Sequence, residues 1–225
     1  MAKINYELQE KEIFERLWQR MQGKYSRDPW HYTSESLNPG VADFLQFCKK
    51  QTSGKILDVG CGNGKHILAF ANAGFEGYGI DIAPSAIKFA QKIGKEKNII
   101  ANFQVGSVLK LPYAKNDFDI IIDCGCFHHL RVSQWPKYLS NINKVLKSGG
   151  YYFLQVFSID CKATTKLGIR SKNNKFSVRN GHYFHFFDDT ELHKIFDKNF
   201  TVIKTYDLPR ANSPIIFKVI YFKKK

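Results

Sequence analysis

The stretch Lys55 to Asp81, KILDVGCGNGKHILAFANAGFEGYGID, constrains the fold more than any other part of the chain. It opens on a short apolar run, Ile56-Leu57-Asp58-Val59, which reads as a buried parallel strand. Gly60, Gly62 and Gly64 follow at alternate positions, a helical run begins at Lys65, and a second apolar run ends on an acid, Asp81. Glycines between a strand and a helix let the backbone approach a ligand closely and adopt positive φ. The helix N-terminus adds unpaired N–H groups and a partial positive charge. An acid closing the second strand is placed to accept hydrogen bonds from a ribose diol. Together these parts describe a nucleoside-binding crevice. The alternative is a tight turn without a ligand, which explains the glycines but not the acid.

The spacing narrows the ligand. A dinucleotide site calls for G-x-G-x-x-G. Here the third glycine comes one residue early, and Lys65 stands where that pattern places it. Asp58-x-Gly60-x-Gly62-x-Gly64 instead resembles the first motif of the class I S-adenosylmethionine-dependent methyltransferases, and Asp81 matches their ribose-binding acid. The resemblance extends from about Lys55 to Phe222. DFDIIIDCGCFHHL (Asp117 to Leu130) is similar to the family's fourth motif, and VLKSGG (Val145 to Gly150) to its L-K-P-G-G turn. HYFHFFDDTELHKIF (His182 to Phe196) is similar to its Phe-containing approach to the last helix. The C-F-H-H-L run and PWHYTSESLNP look most like small-molecule enzymes near the thiopurine and tellurite-resistance methyltransferases. Wobble-uridine tRNA methyltransferases also show GCGNGK together with a His-His pair.

The resemblance implies S-adenosylmethionine as cofactor and assigns expected contacts. Gly60, Cys61 and Gly62 form the glycine turn, Asp58 helps place the methionine amino group directly or through water, and Asp81 with Ile82 borders the ribose. Where the family often has an acid facing the adenine, this chain has Ser107, with Val108 beside it contributing through backbone. Cys124 leaves the fourth strand at the edge where open α/β sheets bind ligands. Trp30, with His31 and Tyr32, is expected to fold over the crevice, since aromatic faces attract a cationic sulfonium. His128 and His129 are the candidate catalytic residues: a histidine beside the reacting centre can take a proton near neutrality, and equally can orient a loop. His31, His182 and His185 do not show metal-ligand spacing with His128, and no metal is expected.

Strands alternating with helices predict a single α/β domain, residues 1–225, with a Rossmann-like doubly wound sheet of seven strands. Residues 1–50 form an N-terminal helical and lid segment, in which a helix over 5–22 packs on the domain edge. Residues 51–225 form the binding core. The last two strands, near Phe200 to Tyr206 and Ile215 to Phe222, have too short a link for a parallel crossover and should pair antiparallel. A helix over 133–146 should end at Ser148-Gly149-Gly150, and a long insertion, 158–185, should follow the fifth strand.

No apolar run reaches membrane-spanning length, and the first residues lack a signal-peptide apolar region, which predicts a soluble, cytoplasmic protein without a membrane partner. Five cysteines without C-x-x-C spacing argue against a disulfide framework. The net charge is +14 and concentrates late: residues 151–225 carry 14 basic and 6 acidic groups. Lys162, Lys166, Arg170, Lys172, Lys175 and Arg179 of the insertion have no acid among them. A basic loop on the substrate side can clamp an anionic small molecule, track an RNA backbone, or merely be solvated. Methyl transfer to a small molecule is the first expectation. Methylation of RNA, with tRNA foremost, is the second, and a non-catalytic cofactor-binding partner protein the third. The sequence leaves the oligomeric state open.

Overall fold

The computed structural model describes residues 5–21, 34, 36–161, 175–179 and 181–225, the side chain of Arg179 excepted. Its helices are α1 (Tyr6–Met21), α2 (Pro39–Gln51), α3 (Lys65–Asn72), α4 (Pro84–Glu96), α5 (Trp135–Val145) and α6 (Asp189–Phe196). Its strands are β1 (Lys55–Val59), β2 (Glu76–Asp81), β3 (Asn102–Val105), β4 (Phe118–Cys124), β5 (Leu146–Phe157), β6 (Phe176–Arg179), β7 (His182–His185), β8 (Phe200–Pro209) and β9 (Ile216–Lys224). Seven of them make one sheet in the order β3-β2-β1-β4-β5-β9-β8. The first five run parallel, while β9 pairs antiparallel with both β5 and β8. The Rossmann-like sheet and its antiparallel end are as the sequence predicts.

The run Ile120-Ile121-Ile122 shows why β4 reads as continuously apolar. Side chains alternate across a strand, and here both faces are covered. Ile120 and Ile122 join Phe44 of α2 and Ile67 and Phe70 of α3, whereas Ile121 joins Tyr138 and Ile142 of α5 and Phe196 of α6. α2 starts where Asn38 accepts a hydrogen bond from the Gly40 N–H and Pro39 presets the first turn.

Three expectations change. First, α1 does not pack on an edge: it crosses the C-terminal ends of the strands. Glu15 accepts hydrogen bonds from the Ser85 N–H and hydroxyl at the start of α4, and Glu10 accepts one from the Tyr183 N–H on β7. Second, α5 ends at Val145, and β5 begins at Leu146 rather than after Gly150, with a register shift opposite β4. Third, the end of the insertion holds two antiparallel strands, with Arg179 paired to His182 and Phe176 to His185. Asn-Gly between two alternating runs is the strongest short-range hairpin signal, and the sequence carried it. The lid residues Trp30, His31 and Tyr32 lie outside the described residues, as do Lys162, Lys166, Arg170 and Lys172.

Candidate active site

The strand order reverses between β1 and β4, the switch point where open α/β sheets bind ligands. The strand ends there open into a chamber of about 430 Å³, roofed by α1. Its two sides are built differently.

On the β1–β2 side the turn after β1 holds Gly60, Gly62 and Gly64 at φ of 74°, 55° and 72°. A Cβ at Gly60 would stand 2.8 Å from the Cys126 Cβ, and one at Gly62 would stand 2.9 Å from Cζ2 of Trp18 on α1. Asp81 is buried on the chamber wall. Its carboxylate accepts hydrogen bonds from the Gly62 and Ala83 N–H groups, each at 2.9 Å. A carboxylate has about four lone-pair sites, so acceptor capacity remains for a ligand. Burial pushes its pKa up to about 6, against the pull of those N–H groups. Ser107, Val108, Ile82 and Cys124 border the same space. The Ser107 hydroxyl already accepts from the Leu109 N–H at 3.1 Å, which leaves its own proton to donate.

Asp58 does not line the chamber. It lies at 1% exposure beside His66, its Oδ2 3.5 Å from the imidazole Nδ1. The ring itself lines the chamber, and its Nε2 is buried without a hydrogen-bond partner. Gln155 of β5 also lines the chamber with its Oε1 buried and unpartnered. Orphaned buried polar atoms are rare, so these two mark a place where a polar ligand group fits.

On the α1 side the walls are Phe14, Phe157, Phe184 and Phe217, with Glu10, His128 and His129 among them. Asp123, the last buried acid of β4, fixes the approach to the histidines. It accepts from the Cys126 and Phe127 N–H groups and from the Tyr138 hydroxyl, which in turn meets the Tyr152 hydroxyl. This turns the chain from β4 into the short helical turn Phe127–His129. Burial pushes the Asp123 pKa up to about 7.

The two histidines have determined tautomers. His129 Nδ1 lies 3.0 Å from the Tyr183 carbonyl, which can only accept, so that nitrogen carries the proton. Burial holds the His129 pKa well below its ordinary value, so the ring is neutral and its Nε2 is a bare acceptor. His128 Nε2, 3.1 Å away, must then donate to it. Burial likewise lowers the His128 pKa, to about 3, which leaves Nδ1 as a buried lone pair with no partner.

Of the residues expected from sequence, Gly60, Cys61, Gly62, Asp81, Ile82, Ser107, Val108, Cys124, His128 and His129 share this chamber, Asp58 does not line it, and Trp30 lies outside the described residues. Sequence reading missed Glu10, His66 and Gln155. Gln155 breaks the apolar run YYFLQVF, and a lone polar residue in such a run is the signal that finds it, whereas Glu10 follows Glu7 on α1 and has no such signal. Among the described residues no group of three His, Cys, Asp or Glu side chains is placed to hold a metal, and no helix is long and apolar enough to cross a membrane.

A profile of the family described as "Methyltransferase domain" matches residues 56–150. An uncharacterized methyltransferase of Schizosaccharomyces pombe is 34% identical over 104 residues, covering 46% of this chain and 71% of that protein. A 2-heptyl-1-hydroxyquinolin-4(1H)-one methyltransferase of Mycobacteroides abscessus is 28% identical over 134 residues, covering 59% and 57%. Among solved structures, the Burkholderia thailandensis 1,6-didemethyltoxoflavin-N1-methyltransferase, with bound 1,6-didemethyltoxoflavin and S-adenosylhomocysteine, shares the fold at a TM-score of 0.78. The match is 19% identical and covers 100% of this chain and 93% of that one. This chain belongs to the class I S-adenosylmethionine-dependent methyltransferases. S-adenosylmethionine is its methyl donor.

Proposed function

We propose that the chain methylates a small, largely apolar molecule held under α1. The observation that carries this reading is the continuity of the chamber: the glycine turn, Asp81 and Ser107 open into the same enclosed space as Phe14, Phe157, Phe184 and Phe217. Small-ligand sites are of this size and character, apolar with a few placed polar groups. The two named relatives support it, since one is named for a hydroxyquinolone and the other binds didemethyltoxoflavin, both compact nitrogen heterocycles. The described part of the basic insertion lends no support to an RNA or anionic acceptor. Lys175 is tied to Asp188 at 2.6 Å and to Glu191 at 3.3 Å.

The residues present fit the cofactor. Asp81 is assigned to the ribose hydroxyls, Ser107 and Val108 to the adenine, and the Gly60–Gly62 turn with Cys124 to the methionine portion. Gln155 Oε1 and His66 Nε2 supply polar atoms for its charged end. S-adenosylmethionine brings a methyl group on a positive sulfur, already electrophilic, so what the chain must add is alignment. His128 is assigned to supply it. The Nδ1 lone pair of that ring accepts a hydrogen bond from the acceptor's N–H or O–H and aims the heteroatom. His129 and the Tyr183 carbonyl hold His128 in the required tautomer.

The test is transfer of label from S-adenosylmethionine into a metabolite pool and an RNA pool. Label in a low-molecular-weight product is the expected result. Label only in RNA overturns the reading. Calorimetric binding of S-adenosylmethionine with transfer to neither pool would instead favour a non-catalytic binding protein.

A further inference from the structure

We infer that the acceptor is a nitrogen base and that Glu10 selects it, an inference that rests on the small-molecule reading above. Glu7, Glu10, Phe14, Trp18 and Met21 of α1 all line the chamber. Their spacing of three or four residues is one face of a helix, which puts Glu10 on the face turned to the chamber, between Glu7 and Phe14. Glu10 is only 8% exposed. Its Oε1 accepts a long hydrogen bond from the Tyr183 N–H at 3.4 Å, and its Oε2 has no hydrogen-bond partner.

No cation of the described chain neutralises it. The nearest basic nitrogen is His182 Nε2 at 3.6 Å, also without a hydrogen-bond partner, and burial drops that pKa to about 4, so the ring is neutral. The Arg131 guanidinium draws on Glu10 only from a distance. It lies over the Tyr6 ring at 3.9 Å and faces the Tyr183 ring at 4.9 Å. Burial accordingly pushes the Glu10 pKa up to about 7. A buried carboxylate without a partner is costly, and a ligand N–H or ammonium would remove that cost. The walls around it favour the same ligand, because Phe14, Phe157 and Phe184 present aromatic surface, which attracts organic cations. An anion would meet Glu7 and Glu10 instead. The described cationic side chains on the wall are Lys65, beside the glycine turn, and Arg210, and both already have partners.

The chemistry therefore calls for an aromatic or heteroaromatic amine or N–H heterocycle. Binding is tested on the full chain saturated with S-adenosylhomocysteine, using tryptamine, tryptophol and indole-3-acetate as matched probes in calorimetry. Tryptamine should bind at least about tenfold tighter than tryptophol, with indole-3-acetate weakest. Glu10→Gln should erase the advantage of the amine and leave S-adenosylhomocysteine affinity unchanged. Equal affinity for amine and alcohol in the wild type overturns the inference, as does an amine preference that survives in Glu10→Gln. Tightest binding of the acetate overturns it in favour of an anionic acceptor. Failure of all three probes to bind also overturns it, while the methyl-transfer reading stands or falls on label transfer alone.

Discussion

The β1–β2 side of the chamber presents backbone amides and one carboxylate, all from the stretch Gly60 to Asp81, with Ser107 close behind. The α1 side presents side chains from residues 10, 14, 128, 157, 184 and 217, brought together by a helix, a hairpin, a short helical turn and two strand ends. A backbone-built site depends on where Cβ atoms are absent, so it tolerates change at its neighbours and keeps a recognisable spacing. A site built from side chains depends on which groups happen to meet, so acceptor choice can change while the cofactor side stays the same. The hinge between the two is Asp123, whose carboxylate bends the chain from β4 into the histidine turn.

If the two sides are separable, removing His128 should strike turnover alone. His128→Ala removes the aligning hydrogen bond and is expected to lower methyl transfer on the order of 10²-fold. S-adenosylmethionine affinity by calorimetry should not change. Equal losses in both would show that the division is false.

Asp123 joins the sides and should affect both through stability. Its folded pKa of about 7 is raised above the ordinary carboxyl value. The folded chain therefore holds this proton longer than the unfolded chain does. The associated stability is complete below about pH 4 and is lost as pH rises through 7. Asp123→Asn retains an acceptor for the turn but cannot ionise. Relative to wild type it should gain on the order of 4 kcal/mol between pH 4 and pH 8, measured by denaturant unfolding. A gap that does not change with pH would mean the carboxyl is charged throughout.

Gly60→Val attacks the backbone side directly. A left-handed residue with a Cβ costs about 1–2 kcal/mol, and overpacking against Cys126 adds about 1–3. Loss of S-adenosylmethionine binding with a lowered Tm is expected. A variant that binds normally would show that the turn does not face the cofactor.

The smallest effect sharpens rather than breaks the comparison. Asp81→Ala should weaken S-adenosylmethionine binding by about 1–3 kcal/mol. Affinity for tryptamine, measured with the cofactor product saturating, should be unaffected.

The geometry of the β1–β2 side was legible because its requirements are local. Positive φ at Gly60 and Gly62 excludes most residues, and an acid at the end of β2 is one turn and one helix away in sequence, so the pattern survives in one dimension. The seven-stranded order was legible for a similar reason: Ile120-Ile121-Ile122 buried on both faces, and a link between β8 and β9 too short to cross over, leave few topologies. The β6–β7 pair has an equally local signal in the Asn-Gly step of the sequence, but the run of basic residues before it makes the whole insertion look like a loop.

What only the tertiary structure decided is the position of α1 and everything that follows from it. Periodicity places Phe14 and Trp18 on one face of a helix but cannot say what that face covers. Trp18 settles against the Cβ-free surface of Gly62, and Phe14 packs its edge against His129 and His182. Those contacts set Glu10 on the chamber wall. The tautomers of His128 and His129 were likewise beyond the sequence, because they are set by the Tyr183 carbonyl, 54 residues away in the chain. Local spacing encodes backbone conformation, whereas burial and hydrogen-bond partnership, which give Glu10 and His128 their chemistry, exist only once distant segments have packed.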